Sequence, residues 1–126
     1  MKRIIAAIAL LSVSVTFSFV SNRFIIKKIN DFSALSKELV ELSKNGYSDE
    51  LMQKTKIITE EWKNSEWIFH TLATSEYVTE AEESIEILSL LLNQGLEEEF
   101  KAKCAEAYNN IQTIKENETI TFENIF

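Results

Sequence analysis

Apolar residues recur along most of the chain at steps of three and four, which places them on one face of an α-helix. The first such stripe after the N-terminal region contains Ile29, Phe32, Leu35, Leu39 and Leu42. The chain has no proline and two glycines, Gly46 and Gly95. Because β-rich architectures need many more turn residues, the pattern predicts an all-α protein.

A second stripe follows Gly46, a residue that commonly ends helices. Ser48 is a suitable N-cap, and Asp49 and Glu50 place negative charge in the first turn, where the helix dipole favours it. The stripe keeps a heptad spacing at Leu51, Thr55, Ile58, Trp62, Ser65, Phe69 and Leu72. Such a seam packs along another helix, most simply along the first one in an antiparallel hairpin. It also suits a second copy of the chain, so a homo-oligomer stays open.

Two further helices are predicted on either side of Gly95. Thr79 and Glu82 match a capping box, with Thr79 as the N-cap of the third helix. The two stripes are Ala81, Ile85, Leu88 and Leu92, then Leu96, Phe100, Cys104, Ala107, Ile111 and Ile114. The short connection between them predicts a second antiparallel hairpin. We therefore expect a small antiparallel bundle of three to four helices.

The N-terminal region is apolar enough to enter a membrane. Residues 4–20 form a weakly polar to apolar run behind Lys2 and Arg3. As a helix, this run spans roughly 26 Å, close to the hydrocarbon thickness of a bilayer. Residues 24–26 would lengthen the span if Arg23 reached back to the headgroups.

We interpret residues 1–28 as an uncleaved signal anchor with basic flanks, which contacts the membrane through residues 4–26. A cleaved signal peptide is the alternative, but residues 16–18 offer only a mediocre cleavage site. No helix breaker separates the anchor from the first stripe. We thus expect one helix from about Ile4 to Asn45, with a stalk at residues 24–30.

Charge divides the chain at the same place. Residues 1–28 carry a net charge of +5 and residues 29–126 a net charge of −12, which together give −7. The acidic domain repels phosphate backbones, so nucleic acid is not expected as a partner. The ordinary interpretation of its charge is a solvated face that maintains solubility, and the alternative is a surface for a basic partner or for loosely held cations.

The orientation of the anchor is less directly encoded. Lys2 and Arg3 precede the run, and Arg23, Lys27 and Lys28 follow it, so the positive-inside rule is nearly balanced. A short basic start followed at once by an apolar run is typical of an export signal. We expect a single-pass protein of the bacterial cell membrane, with its domain on the extracytoplasmic side.

Residues 61–70, EWKNSEWIFH, contain both tryptophans and the one histidine of the chain. Trp62 lies seven residues before Phe69 on the heptad seam, which predicts a core position. Trp67 lies five residues after Trp62 and points elsewhere, so it is either covered by the later helices or exposed as an anchor for a partner. His70 follows Glu66 by four residues, a spacing that places a carboxylate beside the imidazole.

Sequence motifs for catalysis or metal binding are missing. A dinuclear centre in a helical bundle needs an E-x-x-H motif on each of two helices, and a zinc site would need His70, Cys104 and carboxylates to converge. Glycine-rich phosphate loops and nucleophile elbows do not occur. Cys104, on an apolar stripe, is typical of a buried thiol. We expect no catalytic residue, no metal and no cofactor.

The last nine residues, ETITFENIF, contain large apolar side chains at Ile120, Phe122, Ile125 and Phe126. Side chains of this kind are seldom left in water. We expect the tail to fold back and dock on the domain, which comprises residues 29–126. The alternative is a short linear element that a partner binds.

Several short features resemble a group of small bacterial proteins, found mainly in Gram-positive anaerobes and spore formers and classed as a domain of unknown function. These features are Trp62 and Trp67 leading to His70, the pair Ile111 and Ile114, and the terminal Asn124, Ile125 and Phe126. The resemblance implies an N-terminal anchor, an all-helical domain and a structured tail. It implies no catalytic residue.

The sequence thus favours a membrane-tethered, non-enzymatic interaction or adaptor module at the bacterial cell envelope, with a protein partner that the sequence does not name. The predicted contacts for that partner are Trp67, His70, Phe122, Ile125 and Phe126. The alternative is a metal- or pH-responsive sensor domain that uses Glu66 and His70.

Overall fold

The computed structural model describes the backbone of residues 1–73 and 75–125, and the side chains of these residues except Leu72, Ser75 and residues 120–125. Within this part of the chain the elements are α1 (Lys2–Ser43), α2 (Asp49–Leu72), α3 (Ser75–Asn93) and α4 (Glu97–Ile125), with no strand. The all-α prediction is confirmed.

The first helix joins two very different environments. As predicted, α1 runs without a break from Lys2 to Ser43, because the segment contains neither proline nor glycine. All residues from 1 to 20 are exposed in the structure. This part of α1 is long and apolar enough to cross a membrane.

The bundle begins earlier along α1 than the sequence suggested. Ile25 and Ile29 are each 1% exposed and belong to the core, so the predicted stalk at residues 24–30 is instead the first part of the bundle. The exposed apolar run ends at Val20, and Ile25 packs against protein. The membrane contact through residues 4–26 stays a prediction.

The helices form a bundle in which each packs against two neighbours. α1 and α3 each contact α2 and α4, whereas the diagonal pairs make no close contact among the described residues. The neighbours are antiparallel, as contacts between Lys54 and Glu38 at 3.3 Å, Asn110 and Ser84 at 3.2 Å, and Gln112 and Ser33 at 3.0 Å show. Both predicted hairpins are present.

The core follows the predicted stripes. Six seam positions of α2 are buried: Leu51, Thr55, Ile58, Trp62, Ser65 and Phe69. The stripes of α3 and α4 are buried at Ala81, Ile85, Leu88, Phe100, Cys104, Ala107, Ile111 and Ile114. Leu96 is an exception, since it precedes α4 in the turn and is exposed.

Most helix ends also match the sequence. The Ser48 Oγ accepts a hydrogen bond from the Leu51 amide at 3.1 Å, and Gly46 and Gly95 take φ angles of +82° and +70°. The capping box at Thr79 is wrong, because α3 begins four residues earlier, at Ser75. Val78 is fully buried, and its packing favours a helical first turn ahead of Thr79.

The end of the chain differs from the predicted folded-back tail. α4 continues as one helix to Ile125, antiparallel to α1. From Gln112, which contacts Ser33, the remaining residues bring the helix end level with about Val20 at equal rise per residue. The side chains of Phe122 and Ile125, and all of Phe126, lie outside the described residues, so their docking stays a prediction.

Candidate functional site

The two tryptophans of α2 have opposite environments. Trp62 is 2% exposed, and its ring stacks on Phe69 with centroids 5.1 Å apart and meets Phe32 edge-on at 5.4 Å. Aromatic pairs at these distances stabilise a core beyond their buried area. The core position predicted for Trp62 is confirmed.

Trp67 lies on the outer surface of α2 and is 65% exposed. Five residues of helix turn it about 140° from Trp62, away from α1. The sequence left open whether other helices cover this side chain, and the structure leaves it uncovered in the described part of the chain. Its indole is available to a partner that approaches this face.

His70 lies one turn beyond Trp67 on α2 and is also exposed. Its Nε2 lies 2.5 Å from Oε2 of Glu82, which belongs to α3. Among the described residues the imidazole pairs with this carboxylate and not with Glu66, the neighbour expected from helical spacing. The early start of α3 accounts for the difference, because it places Glu82 in an inner turn of α3, the helix that faces α2.

Glu66 is nevertheless close to the pair through a second contact. Carboxylate oxygens of Glu66, Glu82 and Glu86 all lie within 4.8 Å of one another. Desolvation, followed by the neighbouring charges of Glu82 and Glu66, raises the pKa of Glu86 above its ordinary value. The group thus concentrates negative charge between α2 and α3, with His70 at one corner. We refer to Glu66, His70, Glu82 and Glu86 as the acidic cluster.

The acidic cluster is suited to attract a cation. Carboxylate oxygens are hard ligands of the kind that divalent cations prefer. Exposed acidic groups are also common on helices that bind no ion. The geometry therefore supports an electrostatic or pH-dependent role and does not by itself assign a metal.

Trp67 and the acidic cluster lie at the end of the bundle that faces the N-terminal part of α1. Along α2, Lys54 pairs with Glu38, whereas Phe69 contacts Phe32, six residues nearer the apolar run. The end of α2 and the start of α3 are therefore directed toward the candidate membrane span.

Cys104 takes the core position that its stripe predicts. The thiol is 1% exposed, and burial raises its pKa from 9.0 to about 12. A thiol in this state stays protonated at neutral pH, and the thiolate is the reactive form of cysteine. Cys104 therefore contributes packing to α4.

Glu82 and Glu86 are the site residues that sequence reasoning missed. Their spacing of four places them on one face of α3, as the spacing of Glu66 and His70 does on α2. The equal spacing of these two pairs could have predicted that they meet. The capping-box interpretation hid this possibility, because it assigned the Glu82 side chain to a hydrogen bond with the backbone of Thr79.

Comparison of the chain with protein-family models, with curated proteins and with solved structures finds no match.

Proposed function

We propose that the protein is a membrane-tethered, non-enzymatic interaction module at the bacterial cell envelope, with its bundle on the extracytoplasmic side. One observation carries the proposal: α1 passes without a break from the exposed apolar run into the core at Ile25 and Ile29. A bundle joined to the membrane in this way has a fixed height above the bilayer. Tethering raises its effective concentration toward other membrane-bound proteins.

Trp67 and His70 provide the surface that supports partner binding. Both are exposed, and both lie toward the membrane end of α2. Tryptophan is enriched among the residues that dominate binding energy at interfaces. Phe122, Ile125 and Phe126 remain further candidate contacts. The carboxylates of the acidic cluster favour a partner with basic side chains.

Protease treatment of intact, wall-stripped cells tests the tether and its orientation together. Before treatment, we expect the protein to have its full-length mass, which would show that the N-terminal segment is not cleaved. We then expect external protease to digest the bundle. Survival of the bundle until cell lysis would place it in the cytoplasm. A mass lacking the first residues would replace the anchor by a cleaved signal peptide.

Photo-crosslinking in living cells tests the binding surface. A photoreactive amino acid at Trp67 should give a discrete crosslinked product. The matched control is the same substitution at Met52, which is 51% exposed on the same helix but lies toward its other end. Equal products from both positions, or none from Trp67, would contradict the assignment of this surface.

A second candidate function is supported by the contact between His70 and Glu82. Imidazole is the side chain whose charge ordinarily changes between pH 5 and 8. Here it contacts Glu82, whose carboxylate lies close to those of Glu66 and Glu86. A pH- or metal-responsive domain would use this contact to alter the junction of α2 and α3. Metal analysis of the purified protein, together with NMR shifts of the α2–α3 amides between pH 5 and 8, tests it. A protein without metal whose amides do not shift would exclude this function.

A further inference from the structure

A groove of about 660 Å³ runs along one face of α1 where the helix leaves the apolar run. The residues that line it recur at steps of three and four, which keeps them on one side of the helix. Those that matter here are Phe19, Asn22, Arg23, Lys27 and Asp31. The groove is thus apolar at its lower end, basic in its middle and acidic at its upper end.

The basic part of this groove lies at the height of lipid headgroups when residues 4–20 cross a bilayer. Arg23 and Lys27 begin about 5 and 10 Å beyond Val20 at 1.5 Å per residue. Helical side chains tilt toward the N-terminus, here toward the membrane. The guanidinium of Arg23 follows this rule, since it lies 5.5 Å from the centroid of the Phe19 ring. Both cations therefore reach back into the interfacial layer.

The other two residues of this set, Asn22 and Asp31, are not placed to bind the phosphate. The Asn22 Oδ1 is buried and is therefore closed to a ligand that approaches from outside. Asp31 lies roughly 16 Å beyond Val20 at the rise of a helix, above the phosphate layer. Among the described residues that line the groove, the charged groups at headgroup height are therefore Arg23 and Lys27. Outside this lining, Glu118 of α4 is buried at about the height of Lys27, by the register that the contact between Gln112 and Ser33 sets.

We propose that this groove binds the phosphate of an anionic phospholipid between Arg23 and Lys27. Arginine binds phosphate oxygens through a planar set of donors, and lysine adds a point charge. The apolar ring of Phe19 would lie beside the start of the acyl chains. Residues 29–126 carry a net charge of −12, so anionic lipid repels them. A phosphate bound in the groove would hold α1 in one rotational orientation about its axis in spite of that repulsion.

Neighbouring lysines provide a matched pair of variants for the test. Lys27 lines the groove, whereas Lys28, at nearly the same height, lies on another face, with its Nζ 6.0 Å from the Phe24 ring centroid. Lys27→Gln and Lys28→Gln change the net charge equally. A general attraction between the membrane and basic residues would respond to both, and a groove that binds one phosphate responds to Lys27 alone.

The experiment is native mass spectrometry of the full chain released from vesicles that contain equal amounts of phosphatidylglycerol and phosphatidylcholine. We expect one retained phosphatidylglycerol per chain. Lys27→Gln should lower its occupancy roughly fivefold, the usual weakening per basic residue at an anionic surface. Arg23→Gln should do the same, and Lys28→Gln should leave the occupancy unchanged.

Several outcomes would overturn the proposal. Equal losses in Lys27→Gln and Lys28→Gln would show general electrostatic attraction, and retention of both lipids alike would show no headgroup selection. Displacement of the lipid by millimolar inorganic phosphate would show that the groove is a site for free phosphate. Detection of two associated chains without lipid would show that the groove is an interface between two copies of the chain. Helical circular dichroism of each variant excludes misfolding as the cause.

The inference rests on the membrane tether proposed above, and the two fail separately. Resistance of the wild-type chain to extraction from membranes by alkaline carbonate tests the tether. A chain that is extracted contradicts the tether, whereas an anchored chain without lipid selection contradicts only the binding of phospholipid in the groove.

Discussion

The inner and outer faces of α2 each carry a tryptophan, but the two side chains have opposite environments. Each face carries one tryptophan, and these are 2% exposed at Trp62 and 65% exposed at Trp67. The inner face repeats at heptad spacing and is closed by aromatic contacts with Phe32 of α1. The outer face has no such repeat, and its apolar residues are left in solvent. Angular position on the helix separates the two tryptophans.

This difference indicates which residues serve the fold and which are free for another role. Removing Trp62 would leave a cavity between α1 and α2, so its identity is constrained by stability. Trp67 fills no space inside the bundle, and single exposed apolar residues such as Met52 and Ile57 occur on the same helix. Its size adds exposed apolar area beside His70 without adding to the core. The comparison predicts that substitutions on the two faces have separable effects.

The largest effect is expected from Trp62→Ala. Loss of a large buried aromatic side chain ordinarily lowers the free energy of unfolding by about 3–5 kcal/mol. The stacking on Phe69 and the edge contact with Phe32 would both be lost. Urea unfolding of the full chain in detergent micelles, followed by far-ultraviolet circular dichroism, measures the change.

Trp67→Ala is the control, and it should change the free energy of unfolding by no more than about 0.5 kcal/mol. Fluorescence gives an independent reading, since the chain has two tryptophans. W67F leaves only the buried ring, which should emit at shorter wavelength and resist acrylamide quenching, and W62F leaves only the exposed one. Equal destabilisation by the two alanine variants would show that the outer face also belongs to the core.

A smaller effect is expected at the contact between the faces of α2 and α3. A double-mutant cycle of His70→Ala and Glu82→Gln should give a coupling of about 0.2–1 kcal/mol, as for other exposed ion pairs. Both side chains are partly exposed, so a larger value is not expected.

The same cycle with Glu66→Gln is the control for this pair, because helical spacing alone would select Glu66 as the partner. Coupling to Glu66 below that to Glu82 supports the arrangement across α2 and α3. Stronger coupling to Glu66 would show that the imidazole pairs within its own helix.

The buried face of α2 was predictable because its determinants are local. Heptad spacing, the Ser48 cap and the glycine ends each lie within a few residues of the structure they specify, and each was confirmed. The position of Trp62 followed from the same repeat. The two candidate residues on the other face, Trp67 and His70, were found by the same argument, as the residues that the repeat does not use.

The contacts of the outer face were less predictable because they depend on the register between helices. The partner of His70 is set by where α3 begins, and burial of Val78 outweighs the local capping signal at Thr79. The buried start of the bundle at Ile25 depends in a similar way on how far α4 extends beside α1. Neither quantity is encoded by a short motif.

The smallest effect is expected at Glu86, where the faces of α2 and α3 concentrate negative charge. Its pKa in the folded protein is raised above the ordinary 4.5 by desolvation and by Glu82 and Glu66. A raised carboxyl pKa means that the folded state holds its proton more tightly than the unfolded chain does. That stabilisation is fully present below pH 4.5 and is lost as the pH rises through the folded-state pKa. Ionised Glu86 therefore opposes folding at neutral pH.

Glu86→Gln should accordingly stabilise the full chain at pH 7, by no more than about 0.5 kcal/mol because the group is exposed and screened by solvent. The gain should disappear at pH 3.5, where glutamine and protonated glutamate are electrically alike. Glu61→Gln, an exposed position on α2 outside the acidic cluster, makes the same change in net charge. If urea unfolding gives equal gains for the two variants, the effect comes from the overall charge of the domain and not from the meeting of α2 and α3.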